Sequence, residues 1–352
     1  MAPAYHRIVS APHRGANRRA CKLNFVKDGH LRLGLDLGGT EIKAVVPTDD
    51  NGVLWSAQVD TFAAEGRDSV LDRMVQLIAT AASAVAPRTI ETLGVAIPGV
   101  VDPEAGRIEL LTNLTADWNG FGVQAALEAR TGLPVALLND VRAATLAEHT
   151  VGAGQGYNDF ICVAIGTGVG GGLVLGGRLF LGSRGAAGEI GHVTVVPDGR
   201  RCNCGNVGCL ETEASGPAIV RAACDAIQGG DTELEELAGS RQPTPLQLAR
   251  AAERGNRTAR AIFEHAGTML GQALAGLVCV LNPQAIVVGG GVAKAGDLLL
   301  DPIRAEIARR TVVFMPERGG VEVLPSSLDG RAGAIGAAVW SQAYLKGRDD
   351  VG

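Results

Sequence analysis

The feature that most constrains the fold is a hairpin that occurs twice. Leu31–Leu37 alternates apolar residues into Asp36-Leu-Gly-Gly-Thr40, and Glu41–Pro47 reads as the returning strand. The pattern starts again at Asp159–Ile165, which runs into Gly166-Thr-Gly-Val-Gly-Gly-Gly172 as a turn with Leu173–Leu175 as the return. Apolar strands joined by small residues are the signature of β-hairpins. Glycines at the tip let a phosphate approach the backbone N–H groups. The second hairpin is not a Walker loop, because no Gly-Lys-Ser/Thr follows, and its return segment looks like a strand, not the helix of a dinucleotide-binding fingerprint. The chain reads as a weakly repeated α/β unit that offers two phosphate-facing tips.

The rest of the pattern fits this repeat. In the first half, Val53–Thr61 reads as a strand, Asp68–Val85 as a helix, Thr92–Ile97 as a strand, Gly122–Thr131 as a helix and Leu133–Leu138 as a strand. That last strand ends at Asn139-Asp140, where a helix over Val141–Gly152 begins. The second half predicts helices at Gly216–Gln228, Pro245–Arg254 and Asn256–Leu281, then a buried strand Ala285–Val288 running into Gly289-Gly-Gly291, and closing helices at Asp301–Arg310 and Ala332–Tyr344. A chain of 352 residues suits two domains, and 46% hydrophobic with 20% charged residues marks it as globular. The expected division is a segment over 1–30, an N-terminal α/β domain over 31–140 and a C-terminal α/β domain over 141–352, with the last helix able to pack back on the first domain.

Charge narrows the partners. A net charge of −5 leaves no large basic field for nucleic acid or an anionic membrane. The long uncharged runs Phe160–Gly177 and Ala266–Ala293 are interrupted by glycines and by Asn282-Pro283, so they read as buried strands and a buried helix, not as membrane spans. The first thirty residues are basic and lack the apolar stretch of a secretory signal. They read as a disordered tail; a transit peptide or a start placed too far upstream would look the same.

Four places carry residues suited to chemistry. Asp36 precedes the Gly38-Gly39-Thr40 tip, where a carboxylate can hold Mg2+ through water. Asp140 stands at a strand end; it is either an ordinary helix cap or a general base. Gly289, Gly290 and Gly291 follow a buried strand and form either a structural turn or a nucleotide surface. Cys202, Cys204 and Cys209 sit within eight residues, and His192 precedes them in Glu189-Ile-Gly-His192. Together they make a Cys3His set, a structural zinc type. Cys21, Cys162, Cys224 and Cys279 read as buried small hydrophobes.

The paired hairpins resemble the duplicated architecture of the actin-like ATPase superfamily, the ribonuclease H-like duplicated fold in which two α/β domains face each other across a cleft. DLGGT, GVAIPG, LLND, GTGVGGG, EIGH, CNCGNVGCLE and LNPQAIVVGGG occur in the order of the ROK family, a resemblance spanning residues 33–340. That resemblance is strongest to the ATP-dependent glucokinase branch. It implies phosphorylation of a sugar 6-hydroxyl with ATP and Mg2+, and Asp140 as the base. It implies that Asn113, Asn139, Glu189, His192 and Glu211 bind the other sugar hydroxyls. Gly38, Gly39, Thr40, Thr167 and Gly168 would hold phosphates, and the Gly289–Gly291 segment the nucleoside. The zinc would tie down a sugar-reading loop and take no part in catalysis. It further implies a cytoplasmic homodimer or homotetramer. The segment Asp329-Gly-Arg-Ala-Gly-Ala-Ile-Gly336 departs from the family by lacking an early Asn.

Within the family, N-acetylmannosamine, fructose or N-acetylglucosamine are alternative substrates. The other reading is a sugar-sensing repressor relative. Only 35 residues precede Asp36, without paired amphipathic helices, which argues against a DNA-binding domain here.

Overall fold

The computed structural model describes residues 30–349, apart from 49, 51, 112, 113, 115, 184, 241 and 312–319. The basic segment before residue 30, with Cys21, and the expected sugar contact Asn113 lie outside the described residues.

The first half begins with an antiparallel meander, β1 (Leu31–Leu37), β2 (Glu41–Pro47) and β3 (Val53–Asp60). Helix α1 (Arg67–Ala84) leads to β4 (Ile90–Ile97), which pairs parallel to β1. A small hairpin, β5 (Val100–Asp102) and β6 (Arg107–Leu110), and α2 (Val123–Thr131) precede β7 (Val135–Asn139), parallel to β4. Helix α3 (Asp140–Val151) follows directly. Among the described residues the sheet order is β3-β2-β1-β4-β7.

The second half repeats this scheme. Strands β8 (Phe160–Ile165), β9 (Val169–Leu175) and β10 (Arg178–Phe180) form the meander. A helical insertion follows: α4 (Glu211–Ala214), α5 (Gly216–Gln228), α6 (Thr232–Ala238), α7 (Pro245–Glu253) and α8 (Arg257–Leu281). Then β11 (Ala285–Gly289) pairs parallel to β8, α9 (Asp297–Arg310) crosses over, and β12 (Glu322–Pro325) lies parallel to β11. The order β10-β9-β8-β11-β12 matches that of the first sheet position by position. Helix α10 (Ala332–Asp349) ends the described chain.

Local chemistry sets the helix ends. Ser215 caps α5 ahead of Pro217, Thr244 and Gln247 form a reciprocal capping box on α7, and Asn256 caps α8. Helix α8 stops where Asn282 turns left-handed at φ 46° before Pro283. Helix α9 starts one turn before the expected Asp301. It begins at Asp297 after Gly296, whose φ of 60° breaks the preceding chain, and it accommodates Pro302 inside.

The helices that close the two halves are exchanged between the sheets. Helix α10 lies on β1, β4 and β7, whereas α3 packs against β9 of the second sheet and against α10. Glycines make this possible. A Cβ on Gly34 or Gly94 would lie 1.7 Å or 1.8 Å from a carbonyl oxygen of α10, and a Cβ on Gly170 or Gly172 would strike Val141 or Thr145 of α3 at 2.6 Å or 2.1 Å. This corrects the expected turn over Gly166–Gly172. Only its first residues turn; Val169–Gly172 belongs to β9, and its later glycines serve the close approach of α3. Separate apolar cores fill the two sheets, around Trp118 and Met74 in one and Phe263 and Leu270 in the other. Each such fully buried side chain contributes about 1.5–3 kcal/mol.

The cysteine expectation needs one correction. Cys162 is buried, but Cys224 is half-buried and Cys279 is exposed. Cys279 sits on the solvent face of α8 beside Val280, which is 78% exposed. No helix among the described residues is long and apolar enough to cross a membrane.

Candidate active site

A cavity of about 740 Å³ opens between the sheets. Asp36 of β1, Lys43 of β2, Asp140 and Glu148 of α3, the triplet Gly289, Gly290 and Gly291, and Lys294 all line it. Two carboxylates expected from the sequence therefore share one chamber with the third glycine segment. Gly290 holds φ 89°, and any Cβ there would lie 2.4 Å from the Ile165 carbonyl oxygen, so this turn at the mouth of β11 requires glycine.

The start of α3 is built by Asn139, not by Asp140. Asn139 Oδ1 accepts the N–H groups of Val141 and Arg142, both at 3.1 Å, and its Nδ2 donates to the Gly99 carbonyl at 2.9 Å. Asp140 Oδ1 accepts from Asn139 Nδ2 and from Val141 N–H, each at 2.9 Å. Burial pushes the Asp140 carboxyl above the usual range, opposed by the Val141 N–H and the Arg142 guanidinium. Asp36 is raised to about 7, chiefly by burial and then by the charge of Asp140, with Lys43 pulling the other way.

The hairpin tips are exposed. Gly38 N–H donates to the Glu41 carbonyl at 2.9 Å and Thr61 Oγ1 donates to the Gly38 carbonyl at 2.7 Å, which leaves Gly39 and Thr40 at the solvent end. In the second hairpin Gly166 N–H donates to the Gly168 carbonyl at 2.9 Å, with Thr167 exposed between them.

The third assembly is the cysteine loop. Ligand atoms of His192, Cys202, Cys204 and Cys209 all lie within 4.8 Å of one another. Cys204 Sγ is 3.7 Å from Cys209 Sγ, and Cys202 Sγ is 3.8 Å from His192 Nδ1. A tetrahedral zinc with Zn–S bonds near 2.3 Å requires sulfurs about 3.8 Å apart, so the donor set fits this metal. The loop is tied by short bridges, Thr194 to Cys209 and Arg201 to Val207. Gly208 at φ 72° packs against the Val196 carbonyl where no side chain fits. With Nδ1 turned to the thiols, Nε2 of His192 faces Glu189 Oε2 at 4.0 Å.

Glu211 connects this loop to the second hairpin. Its Oε2 accepts the Val169 N–H at 3.0 Å, and its Oε1 lies 4.0 Å from Cys202 Sγ. Glu189, by contrast, is half open to solvent while its Oε1 accepts from Arg142 Nη2 at 2.9 Å.

Sequence reasoning missed several residues here. Arg142 is almost fully buried and reaches from α3 to the Glu189 loop. The one trace of it in sequence is a charge among the apolar residues Val141, Ala143 and Ala144 at the start of α3. Glu148 is also buried; it accepts the Ala153 N–H at 2.7 Å and the Ser326 hydroxyl, fastening the end of α3 to the segment after β12. Lys43 and Lys294 supply the cavity's cations and carried no motif.

Comparison with known proteins follows the same pattern. The sequence matches the ROK family over residues 32–344. It is 34% identical over 314 residues to the glucokinase of Streptomyces coelicolor, covering 88% of this chain and 96% of that protein. The crystal structure of a ROK family glucokinase from Streptomyces griseus in complex with glucose and AMPPNP superposes with a TM-score of 0.78 at 35% identity, covering 89% of this chain and 99% of that one. The chain is also 36% identical over 261 residues to the DNA-binding transcriptional dual regulator NagC of Escherichia coli, covering 74% of this chain but 62% of the regulator. A match that runs nearly from β1 to the last helix, with the fold it predicts, shows that this chain belongs to the ROK family.

Proposed function

We propose that the chain transfers the γ-phosphoryl group of ATP to the 6-hydroxyl of glucose, with Asp140 as general base. That it is a hexokinase-type phosphotransferase follows from its family and its glucokinase relatives. The observation that carries the finer reading is the start of α3. Because Asn139 makes the cap, the Asp140 carboxylate is left to face the cavity.

In this reading the 6-hydroxyl oxygen attacks the γ-phosphorus while Asp140 accepts its proton, and ADP leaves with the bridging oxygen. Burial makes Asp140 a stronger base than an exposed carboxylate, which suits it to an alcohol. Backbone N–H groups at Gly38, Gly39, Thr40, Thr167 and Gly168 would hold the phosphates, and Gly289, Gly290 and Gly291 the nucleoside. Asp36 would hold Mg2+ through water, which supplies charge neutralisation at the transferring phosphate. Glu189, His192 and Glu211 would bind the remaining hydroxyls, while Asn139, expected among them, has both side-chain atoms committed to the cap, Gly99 and Asp140. His192, Cys202, Cys204 and Cys209 would hold Zn2+, which fixes the loop that presents Glu189 and Glu211. The Streptomyces griseus ROK family glucokinase, in complex with glucose and AMPPNP, supports this donor and acceptor.

The test is a coupled ADP-release assay over hexoses and N-acetylhexosamines, with ATP and polyphosphate as donors. Glucose with ATP should give the highest kcat/KM. Preference for an N-acetylhexosamine would overturn the glucose assignment, and sugar binding without ADP release would favour a sensor.

A further inference from the structure

We propose that Arg142 is the positioning residue that aims Glu189 at the acceptor sugar and joins that carboxylate to the helix carrying Asp140. The inference rests on the sugar-kinase reading above.

Arg142 is bound at both ends. Its backbone N–H donates to the Asn139 cap at 3.1 Å, one step from Asp140. Its side chain crosses to the second half of the molecule, where Nε donates to the Ala187 carbonyl at 3.0 Å and Nη2 donates to Glu189 Oε1 at 2.9 Å. The Ala187 loop has little freedom of its own. Gly188, at φ 96°, presses on β9 so closely that a Cβ would lie 2.6 Å from the Gly171 carbonyl oxygen. Backbone packing thus places the loop, and Arg142 fixes the direction of its first long polar side chain.

The two ends of Glu189 differ in environment. The Arg142 side chain is 2% exposed, whereas that of Glu189 is 42% exposed. One oxygen is committed inward; the other opens to solvent, 4.0 Å from His192 Nε2. A fixed carboxylate oxygen beside an imidazole nitrogen suits two hydroxyls on adjacent ring carbons, so the ligand class is a sugar with a free vicinal diol. A clip that merely fastened α3 to the loop would be served at least as well by apolar contact, since burying a guanidinium is costly. The fork geometry is also specific to arginine: lysine does not reproduce the arrangement of donors that meets a carbonyl and a carboxylate together.

The experiment uses the full chain, with sugar affinity read by calorimetry with glucose and by steady-state kinetics. Arg142→Gln should raise the glucose Kd and KM on the order of tenfold or more, while the KM for ATP stays within about twofold. Glu189→Gln should weaken glucose similarly, and the double variant should be no weaker than Glu189→Gln alone, because both changes remove one interaction. Arg142→Lys, which keeps the buried positive charge, should fold and still lose sugar affinity; it decides the matter if the glutamine variant does not fold. Unchanged glucose affinity in a folded Arg142 variant, an equal rise in both KM values, or penalties that multiply in the double variant would each overturn the proposal. Wild-type protein that binds glucose without releasing ADP would sink the kinase reading, yet the calorimetric arm would still judge Arg142. Wild-type protein that binds no sugar would overturn both.

Discussion

Asn139 Nδ2 donates to Asp140 Oδ1 at 2.9 Å, while Asn139 Oδ1 alone receives the N–H of Arg142 at the start of α3. The neighbours have different duties: one holds the helix, the other faces the cavity. Replacing the carboxylate therefore should not unravel the helix. Asp140→Asn should lower kcat by on the order of 10²–10⁴, with glucose affinity by calorimetry and the melting temperature retained. Turnover near wild type would remove Asp140 as the base.

Asp36 gives a prediction with a definite sign. Its folded-state value of about 7 stands above the ordinary 3.8, so the folded chain binds this proton more tightly than the unfolded chain does. Its contribution to stability is present at low pH and is lost as pH rises from about 4 to about 7. Asp36→Asn removes that loss. The melting temperature of the variant should gain on wild type across this window and then run parallel above it. Activity should respond oppositely, since the proposed role of Asp36 at Mg2+ requires its ionised form. Wild-type rate should fall as pH drops below about 7, and the variant should be poorly active throughout. Melting curves that stay parallel from pH 4 to 8 would contradict the buried-proton account.

In the proposed mechanism the cysteine loop couples metal to sugar. His192 offers Nδ1 to the thiols and Nε2 toward Glu189, so a loose imidazole should disturb both. Cys204→Ser should reduce zinc per chain, measured by elemental analysis, and should lower the melting temperature and raise the glucose KM together. A metal-free variant with a normal glucose KM would separate the loop from sugar recognition.

What could be read in advance divides by sequence distance. His192 and the three cysteines lie close enough along the chain for their spacing to suggest a shared ligand set, and the structure brings them together. The β1–β2 and β8–β9 hairpins were legible because apolar alternation and tip glycines are local signals. Arg142 was not: its partner Glu189 is 47 residues away, and nothing near Arg142 announces it. Glu148 meets Ser326 across 178 residues. The short strands β5, β6, β10 and β12 carry too few residues for a period of two to register. The glycines of β9 were misread as turn because glycine has two uses, left-handed backbone and close approach, and a sequence does not say which. Gly170 and Gly172 have the second use, under Val141 and Thr145.

The same close approach identifies the most sensitive point of the scaffold. Helices α3 and α10 cross where Gly336 meets Ala143, and a Cβ at Gly336 would lie 1.7 Å from the Ala143 carbonyl oxygen. The obstruction is helix backbone on both sides, so no side-chain rotation relieves it. Three residues before Ala143 stands Asp140, and α10 rests on β1, which carries Asp36. Gly336→Ala should force the helices apart and cost at least about 1–3 kcal/mol, as overpacking of a core does. The expected outcome is a lower melting temperature, with a kcat loss in whatever fraction still folds, because the two carboxylates would no longer keep their spacing across the cavity. The control is Gly276→Ala on the exposed face of α8, where a Cβ meets nothing within 4 Å and alanine favours the helix. That variant should match or exceed wild-type stability. Equal melting temperatures for the two alanine variants would show that the α3–α10 crossing yields more readily than its geometry implies.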